Sequence, residues 1–477
     1  MTNGNIFAAI AILLWPVVAF LLYATRPLPQ ATLWTVLGGV LLLPAGVAIK
    51  IEMIPAIDKF SVPNLCALIG VMAMARGAAR VRVRWGLTEV LLLCFVLSPL
   101  VTSMLNSDAI LVGGRVLPGV GPYDGISTVL SQGLLILSFI VGRRVFRHTP
   151  ATEVILTTTL VAGLFYALPM LFEIRFSPQL ARWIYGFSPT SFAVEMRYGG
   201  FRPVVFMQNG LTAAFFLATS FVAAVALGQA RATMPLSARP ALVQAFLGVV
   251  IVLCKSAGAL VYAVVAGLVM RWLSPRAQMR IAIACVVIGL CYPLLRFTDQ
   301  FPTQALLQTA AAVNQERADS LQFRFREEEQ LLAHAAERMF FGWGRFGRNR
   351  VYSETSGEDA SVTDGMWIIT LGQFGLVGFF AQFGLLSLPV FRAYGALKRC
   401  PTRASRILLA GLAMTVAFSV IEQLPNASIS SWTWLQAGAL LGIVEAVGRS
   451  SRRSSVTAPV RREQKLVAAA PAAEPAL

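Results

Sequence analysis

Runs of about twenty consecutive apolar residues recur along most of this chain, and no other feature constrains its fold as much. A helix rising about 1.5 Å per residue crosses the ~30 Å hydrocarbon core of a bilayer in about 20 residues. Lipid offers no partner to a backbone N–H or C=O, so such runs must satisfy both internally, as helices. By this ruler about thirteen spans are expected, near residues 6–25, 31–49, 60–75, 86–104, 126–142, 152–172, 210–229, 240–254, 257–273, 280–296, 365–390, 407–422 and 432–447. The division at Lys255 is the one at which two spans could merge. The expected fold is an all-α polytopic membrane bundle. Composition agrees: 56% of residues are apolar and 13% charged, against roughly a quarter charged in a soluble domain. So little polar surface cannot coat a water-soluble globule.

The net charge of +17 follows the excess of Lys and Arg in cytoplasmic loops of membrane proteins. Nucleic-acid binding would need basic stripes on a soluble surface, which this chain lacks. The basic groups fall in short loops and the tail: Arg76, Arg80, Arg82 and Arg84; Arg143, Arg144 and Arg147; Arg231 and Arg239; Arg276 and Arg280; Arg392, Lys398, Arg399, Arg403 and Arg406; Arg449, Arg452 and Arg453. Thirteen spans place all of them on one side, the cytoplasmic one, with the N-terminus outside and the C-terminus inside. The first apolar run has no basic segment before it and reads as a first span, not a cleaved signal. Cys66, Cys94, Cys254, Cys285, Cys291 and Cys400 form no disulfide framework or CxxC pattern. With only His148 and His334 as histidines, a zinc or haem site is not expected.

The chain divides into spans 1–10 over residues 1–296, a large outer loop over 297–364, the last three spans over 365–448, and a tail over 449–477. The tail is rich in Ala, Pro, Ser and Arg and reads as a disordered cytoplasmic extension. The first part includes an Arg-rich outer loop, 173–209. No internal repeat is visible, which disfavours inverted-repeat transporter folds. The large loop is the most polar stretch and is expected to fold. Asp319 to Met339 predicts an amphipathic helix with Leu321, Phe325, Leu331, Leu332 and Ala335 on one stripe, and Gly342, Gly344 and Gly347 then make a tight turn.

The anomaly is arginine on the outer side. Arg175, Arg182, Arg197 and Arg202 crowd one outer loop; Arg324, Arg326, Arg338, Arg345, Arg348 and Arg350 crowd the other. Guanidinium binds phosphate in bidentate fashion. The plainer alternative is a solvated face with local ion pairs, above all for Arg326 and Arg338 beside Glu327–Glu329. Lys255 interrupts an apolar stretch, where a cation costs at least ~2.5 kcal/mol unless paired or hydrated. It marks a cavity or helix break near the outer interface, or else snorkels from a loop.

The run Arg324 to Gly347, RFREEEQLLAHAAERMFFGWGRFG, resembles the long-loop signature of the O-antigen ligase and Wzy-type polysaccharide polymerase superfamily: an arginine, an amphipathic helix, then a G-x-G turn. Asp364-Gly365, nine residues and then Gly375-Leu376-Val377-Gly378 is similar to that family's His-[Asn/Ser/Gln]-x9-Gly-x-x-Gly element. Arg197-Tyr198-Gly199-Gly200-Phe201-Arg202, with Asn209 opening a span, resembles the family's arginine-containing segment. Lys255-Ser256-Ala257-Gly258 stands where the family has a Ser-Arg-Gly-type helix break. These matches cover about a third of the chain, in the family's order.

The resemblance implies a GT-C-like, metal- and cofactor-independent glycosyltransferase on the outer face of a bacterial inner membrane. Its substrate would be glycan carried on undecaprenyl pyrophosphate, polymerised one repeat unit at a time, with a chain-length regulator or export complex as further partners. Arg197, Arg202, Lys255 and Arg324 would clamp the departing pyrophosphate, and the helix after Arg324 would be a lid. The sequence departs from the family where Asp364 replaces the activating histidine; His334 does not occupy that place. Asp364 would act as the base, as the N-cap of the following helix, or as both. Gly375 and Gly378 read as close-packing positions. A ligase passing finished glycan to another acceptor, a flippase for lipid-linked sugars and an inactive scaffold remain the alternative functions.

Overall fold

Helices form wherever the apolar runs predict them, and four of them begin at a side-chain cap. In the computed structural model, described over residues 3–51, 55–74, 85–197, 199–313 and 315–448, the helices are α1 (Ile6–Thr25), α2 (Leu28–Leu42), α3 (Ser61–Met74), α4 (Leu87–Met104), α5 (Pro122–Val145), α6 (Ala151–Phe176), α7 (Leu180–Tyr185), α8 (Phe192–Glu195) and α9 (Gly210–Ala230). They continue as α10 (Pro240–Leu253), α11 (Ala257–Trp272), α12 (Pro275–Phe297), α13 (Thr303–Val313), α14 (Gln315–Glu337), α15 (Met366–Leu397), α16 (Arg403–Glu422) and α17 (431–448). Asn5, Asn209, Ser274 and Thr402 cap α1, α9, α12 and α16 through their side-chain oxygens, each taking one otherwise unpaired N–H.

Among the described residues, eight helices (α1, α4, α5, α6, α9, α12, α15 and α16) are long and apolar enough to cross a membrane, the architecture of a multi-pass all-α membrane protein. α2, α3, α10 and α11 are shorter, at 15, 14, 14 and 16 residues, or about 21–24 Å of rise. The expected span 31–49 is corrected: α2 ends at Leu42, and Ala48–Ile49 pairs instead with Ile57–Asp58 in a two-stranded hairpin. The outer loop expected from residue 173 starts later, because α6 continues to Phe176 and carries Glu173 and Arg175 in its last turn. The expected break at Lys255 is present: its φ of 53° turns the chain between α10 and α11. The basic loop at Arg76–Arg84 and the tail from Arg449 lie outside the described residues.

α9 and α16 form the centre. Both are mostly enclosed, and they pack on each other and on α6, α11 and α12. α1 lies at the rim and turns Ile6, Leu13 and Phe20 outward, the side-chain choice for a lipid-facing surface. Alternation of the helices puts residues 146–150, 231–239, 273–274 and 398–402 at one end of the bundle. There Arg143 bridges Glu89 (2.8 Å) and Glu445 (2.7 Å), and Arg392 reaches Glu445 at 3.3 Å. The long segments 177–209 and 298–365 lie at the other, looped end.

Two devices hold the looped end together. Inside α15, Gly375 takes φ 64° and ψ −162°, which only glycine adopts readily. The break frees backbone groups that residues 339–344 then satisfy: Leu376 and Val377 N–H donate to the carbonyls of Met339 and Phe340, and Trp343 and Gly344 N–H donate to those of Gly372 and Gln373. Thr102 and Asn106, at the end of α4, close the other side by donating to the carbonyls of Phe341 (2.6 Å) and Gly342 (3.0 Å). Gly342, Gly344 and Gly347 make the expected turn, all at positive φ. The second device is Glu173, fully buried, whose carboxylate accepts the N–H groups of Leu180, Val204 and Val205 at 2.7–2.9 Å and so pins loop 177–209 to α6.

Candidate functional site

Three segments of the looped end bring the predicted cations together. Met196–Arg197 and Gly200–Phe201 form a two-stranded hairpin in which Arg197 faces Gly200. The α10–α11 turn presents Lys255 to that hairpin; a Cβ built on Gly200 would fall 2.2 Å from Lys255 Nζ. Arg202 follows the hairpin, is buried, and pairs with buried Glu195 at 3.6 Å. Burial pulls the Arg202 guanidinium below its ordinary value; Glu195 opposes that, and the charges of Arg197 and Arg324 add to it. Arg202 thus lies within electrostatic reach of Arg197 and Arg324, and Lys255 lies against the hairpin that carries Arg197, so the four cations come from three distant stretches of sequence.

Arg324 stands on α14, within the expected amphipathic helix. Its Nε is 3.2 Å from Asp364 Oδ2, and its Nη1 donates to the carbonyl of Pro425 at 3.4 Å. The pair is accessible, with 33% of the arginine and 42% of the aspartate side chain exposed. This corrects one expectation for Asp364: the N-cap of α15 is Gly365, no side chain caps that helix, and Asp364 turns to Arg324 instead. The cleft that Arg324 and Asp364 share with Glu327, Glu328 and Pro425 holds about 10 Å³, room for about one water. A diphosphate enters only if α14 or the 423–430 segment moves.

Three of the other arginines at this end, Arg338, Arg348 and Arg350, have structural work. Arg348, fully buried, donates to the carbonyls of Asp108, Pro118 and Trp343. Arg338 pairs with Asp108 at 3.0 Å and stacks 4.2 Å over Trp343, so the anticipated pairing of Arg338 with Glu327–Glu329 gives way to a longer-range one. Glu327 accepts the Val362 N–H instead. Glu328, its carboxyl pushed up by burial, meets Arg296 at 3.3 Å and the Tyr292 hydroxyl at 2.9 Å. His334 stacks on Trp343. Arg350 pairs with Asp359. Gly375 is a close-packing position, against backbone 340–341; at Gly378 an added Cβ would meet the Phe374 side chain of its own helix.

Glu422 and Tyr262 belong to the site and were not singled out from sequence. Glu422, 4% exposed at the end of α16, accepts from Asn426 at 2.7 Å and from the Tyr262 hydroxyl, within electrostatic reach of Arg324. The available signal was an acid at the edge of an apolar run, a place where ionisable groups tend to be functional. Lys59, just before the apolar run 60–75, is also buried and was not singled out from sequence. Among the described residues, no group of three His, Cys, Asp or Glu side chains is placed to hold a metal ion. No protein-family model matches the chain, and no curated protein shows significant sequence similarity to it.

Proposed function

We propose that this protein is a membrane glycosyltransferase that polymerises oligosaccharide repeat units carried on undecaprenyl pyrophosphate, at the periplasmic face of a bacterial inner membrane. The observation that carries the reading is the gathering of Arg197, Arg202, Lys255 and Arg324 beside Asp364 and Glu422 at the looped end. The positive-inside bias makes that end periplasmic and the Arg143, Arg392 end cytoplasmic; thirteen crossings, in a GT-C-like arrangement, satisfy it. The helices on either side of Lys255, at 14 and 16 residues, are shorter than a full crossing, which in this reading sets that turn deeper than the other loops of its end.

In this reading the acceptor hydroxyl attacks the anomeric carbon of the donor. A new glycosidic C–O bond forms, the C–O bond to the pyrophosphate breaks, and undecaprenyl pyrophosphate leaves with the bonding electron pair. The hydroxyl proton passes to Asp364. Guanidinium and ammonium donors stabilise charge where it develops on the leaving group, without a metal. Arg324 links the two halves: when it turns to phosphate it releases Asp364 to take the proton. The helix after Arg324 acts as the lid.

The test is elongation of lipid-pyrophosphate oligosaccharide by purified protein in detergent, where a flippase has no function to perform. Arg324→Ala lowers the rate about 10²–10³-fold, the loss typical of one transition-state donor, with Arg324→Lys in between. Wild-type elongation by both variants overturns the assignment of Arg324, and absence of elongation by the intact protein with any lipid-linked repeat unit overturns the reading. A product on a different acceptor identifies a ligase.

A further inference from the structure

A second cavity is lined by two segments that adjoin the contacts of the cation cluster in sequence. It measures about 290 Å³ and is lined by Lys59, Phe60, Gln208, Thr212, Ser428 and Ser430, with apolar Val40, Met207 and Ile429. One wall is the 207–212 segment, where Arg202 packs against Gly210. The other is the 427–430 segment, two residues after the Pro425 carbonyl that receives Arg324. The cavity thus opens within a few residues of the Arg202 and Arg324 contacts on each side. Its volume is at the small end of ligand sites, which run from ~300 Å³, and suits one sugar ring.

Its chemistry is selective. Lys59 is 3% exposed and spends one N–H on the Phe206 carbonyl at 2.8 Å, and an ammonium has three donors. Gln208, Thr212, Ser428 and Ser430 add polar groups that bond hydroxyls, and Phe60 adds an apolar face. The lining holds one cation and no acid; Asp58, its neighbour in sequence, acts on Lys59 from outside the lining and offsets its burial only in part. Such a buried cation is stabilised by an anion that reaches it.

We infer that this cavity is the acceptor subsite and that it takes a sugar residue bearing a carboxylate, with the carboxylate on Lys59 Nζ and the ring hydroxyls on Gln208, Thr212, Ser428 and Ser430. The word acceptor rests on the glycosyltransferase reading above; the binding of an acidic sugar does not. A repeat unit for this protein then contains a uronic acid or similarly acidic sugar near its accepting end.

The experiment titrates the purified full-length protein in detergent with glucuronate and, separately, with glucose, by calorimetry. Glucuronate binds saturably and at least tenfold more tightly than glucose. Lys59→Met removes that preference. Ala427 also lines the cavity and is exposed; Ala427→Trp blocks glucuronate while leaving Lys59 in place, which guards against a folding defect in the first variant. Arg324→Ala retains wild-type glucuronate binding, so loss of elongation in that variant is separable from loss of this subsite. Equal binding of the two sugars, no saturable glucuronate binding, or wild-type affinity in a folded Lys59→Met protein overturns the proposal.

Discussion

Replacing Gly375 by alanine tests whether the broken helix α15 is what holds the looped end in place. At φ 64° and ψ −162°, alanine is strained by about 1–3 kcal/mol. A Cβ there would also lie 2.3 Å from the carbonyl group of Phe340 and 2.5 Å from the Phe341 nitrogen. Backbone on both sides leaves no flexible side chain to yield, so residues 339–344 must lift. Lifting them endangers the bonds Leu376–Met339, Val377–Phe340, Trp343–Gly372 and Gly344–Gln373, each with a net value of about 1 kcal/mol. Loss of half of them plus the strain gives about 3–5 kcal/mol. The assay is limited trypsin digestion of purified protein, in which Arg345 and Arg348 lie next to the lifted segment. At that destabilisation the open population rises more than a hundredfold, since about 1.4 kcal/mol is tenfold, and cleavage after these arginines accelerates with it. A Gly375→Ala protein cleaved there at the wild-type rate would refute the reasoning, because the strain and the overlap would then have been absorbed without moving the loop.

Three further outcomes are expected. Glu173→Gln keeps the shape but puts an amide N–H₂ against backbone donors, leaving at least one buried N–H unpaired at about 1–3 kcal/mol; thermal melting falls, and hydrogen exchange at Val204 and Val205 speeds up. Gly200→Ala leaves melting unchanged, because the atom displaced is the flexible end of Lys255, while elongation drops about tenfold, or ~1.4 kcal/mol, as the ammonium is pushed out of the cluster. Burial, opposed only in part by Asp58, pulls Lys59 down to about 7. Above that pH the folded state sheds a proton that the unfolded chain keeps to its ordinary value near 10.5, so stability rises between pH 7 and about 10. Lys59→Met removes that slope, as melting temperature against pH would show.

The helices were legible because hydrophobic runs are local. Each apolar run coincides with a helix, and the amphipathic stripe of α14 and the glycine turn after it came from spacing alone. What escaped the sequence depends on partners far along the chain. Arg348 holds Asp108 and Pro118, Glu173 holds Val204 and Val205, and Asp364 reaches back to Arg324. A local rule favoured Asp364 as a cap, and a tertiary ion pair won. The end of α2 at Leu42 was missed for a similar reason: the residues after it are still apolar, but they turn into a hairpin with 57–58. The cation cluster was half visible, as arginines where charge bias disfavours them, while Glu422, Tyr262 and Lys59 became visible only once the helices around them were in place.

The most direct test of the account is the affinity of the purified protein for a short polyprenyl pyrophosphate, measured with a metal chelator present. The convergent cations should bind it saturably under those conditions, and the paired substitution Arg324→Ala with Lys255→Met should weaken it at least a hundredfold while a folded, cooperatively melting protein remains. Unchanged affinity in that double variant would contradict the claim that these side chains hold the diphosphate.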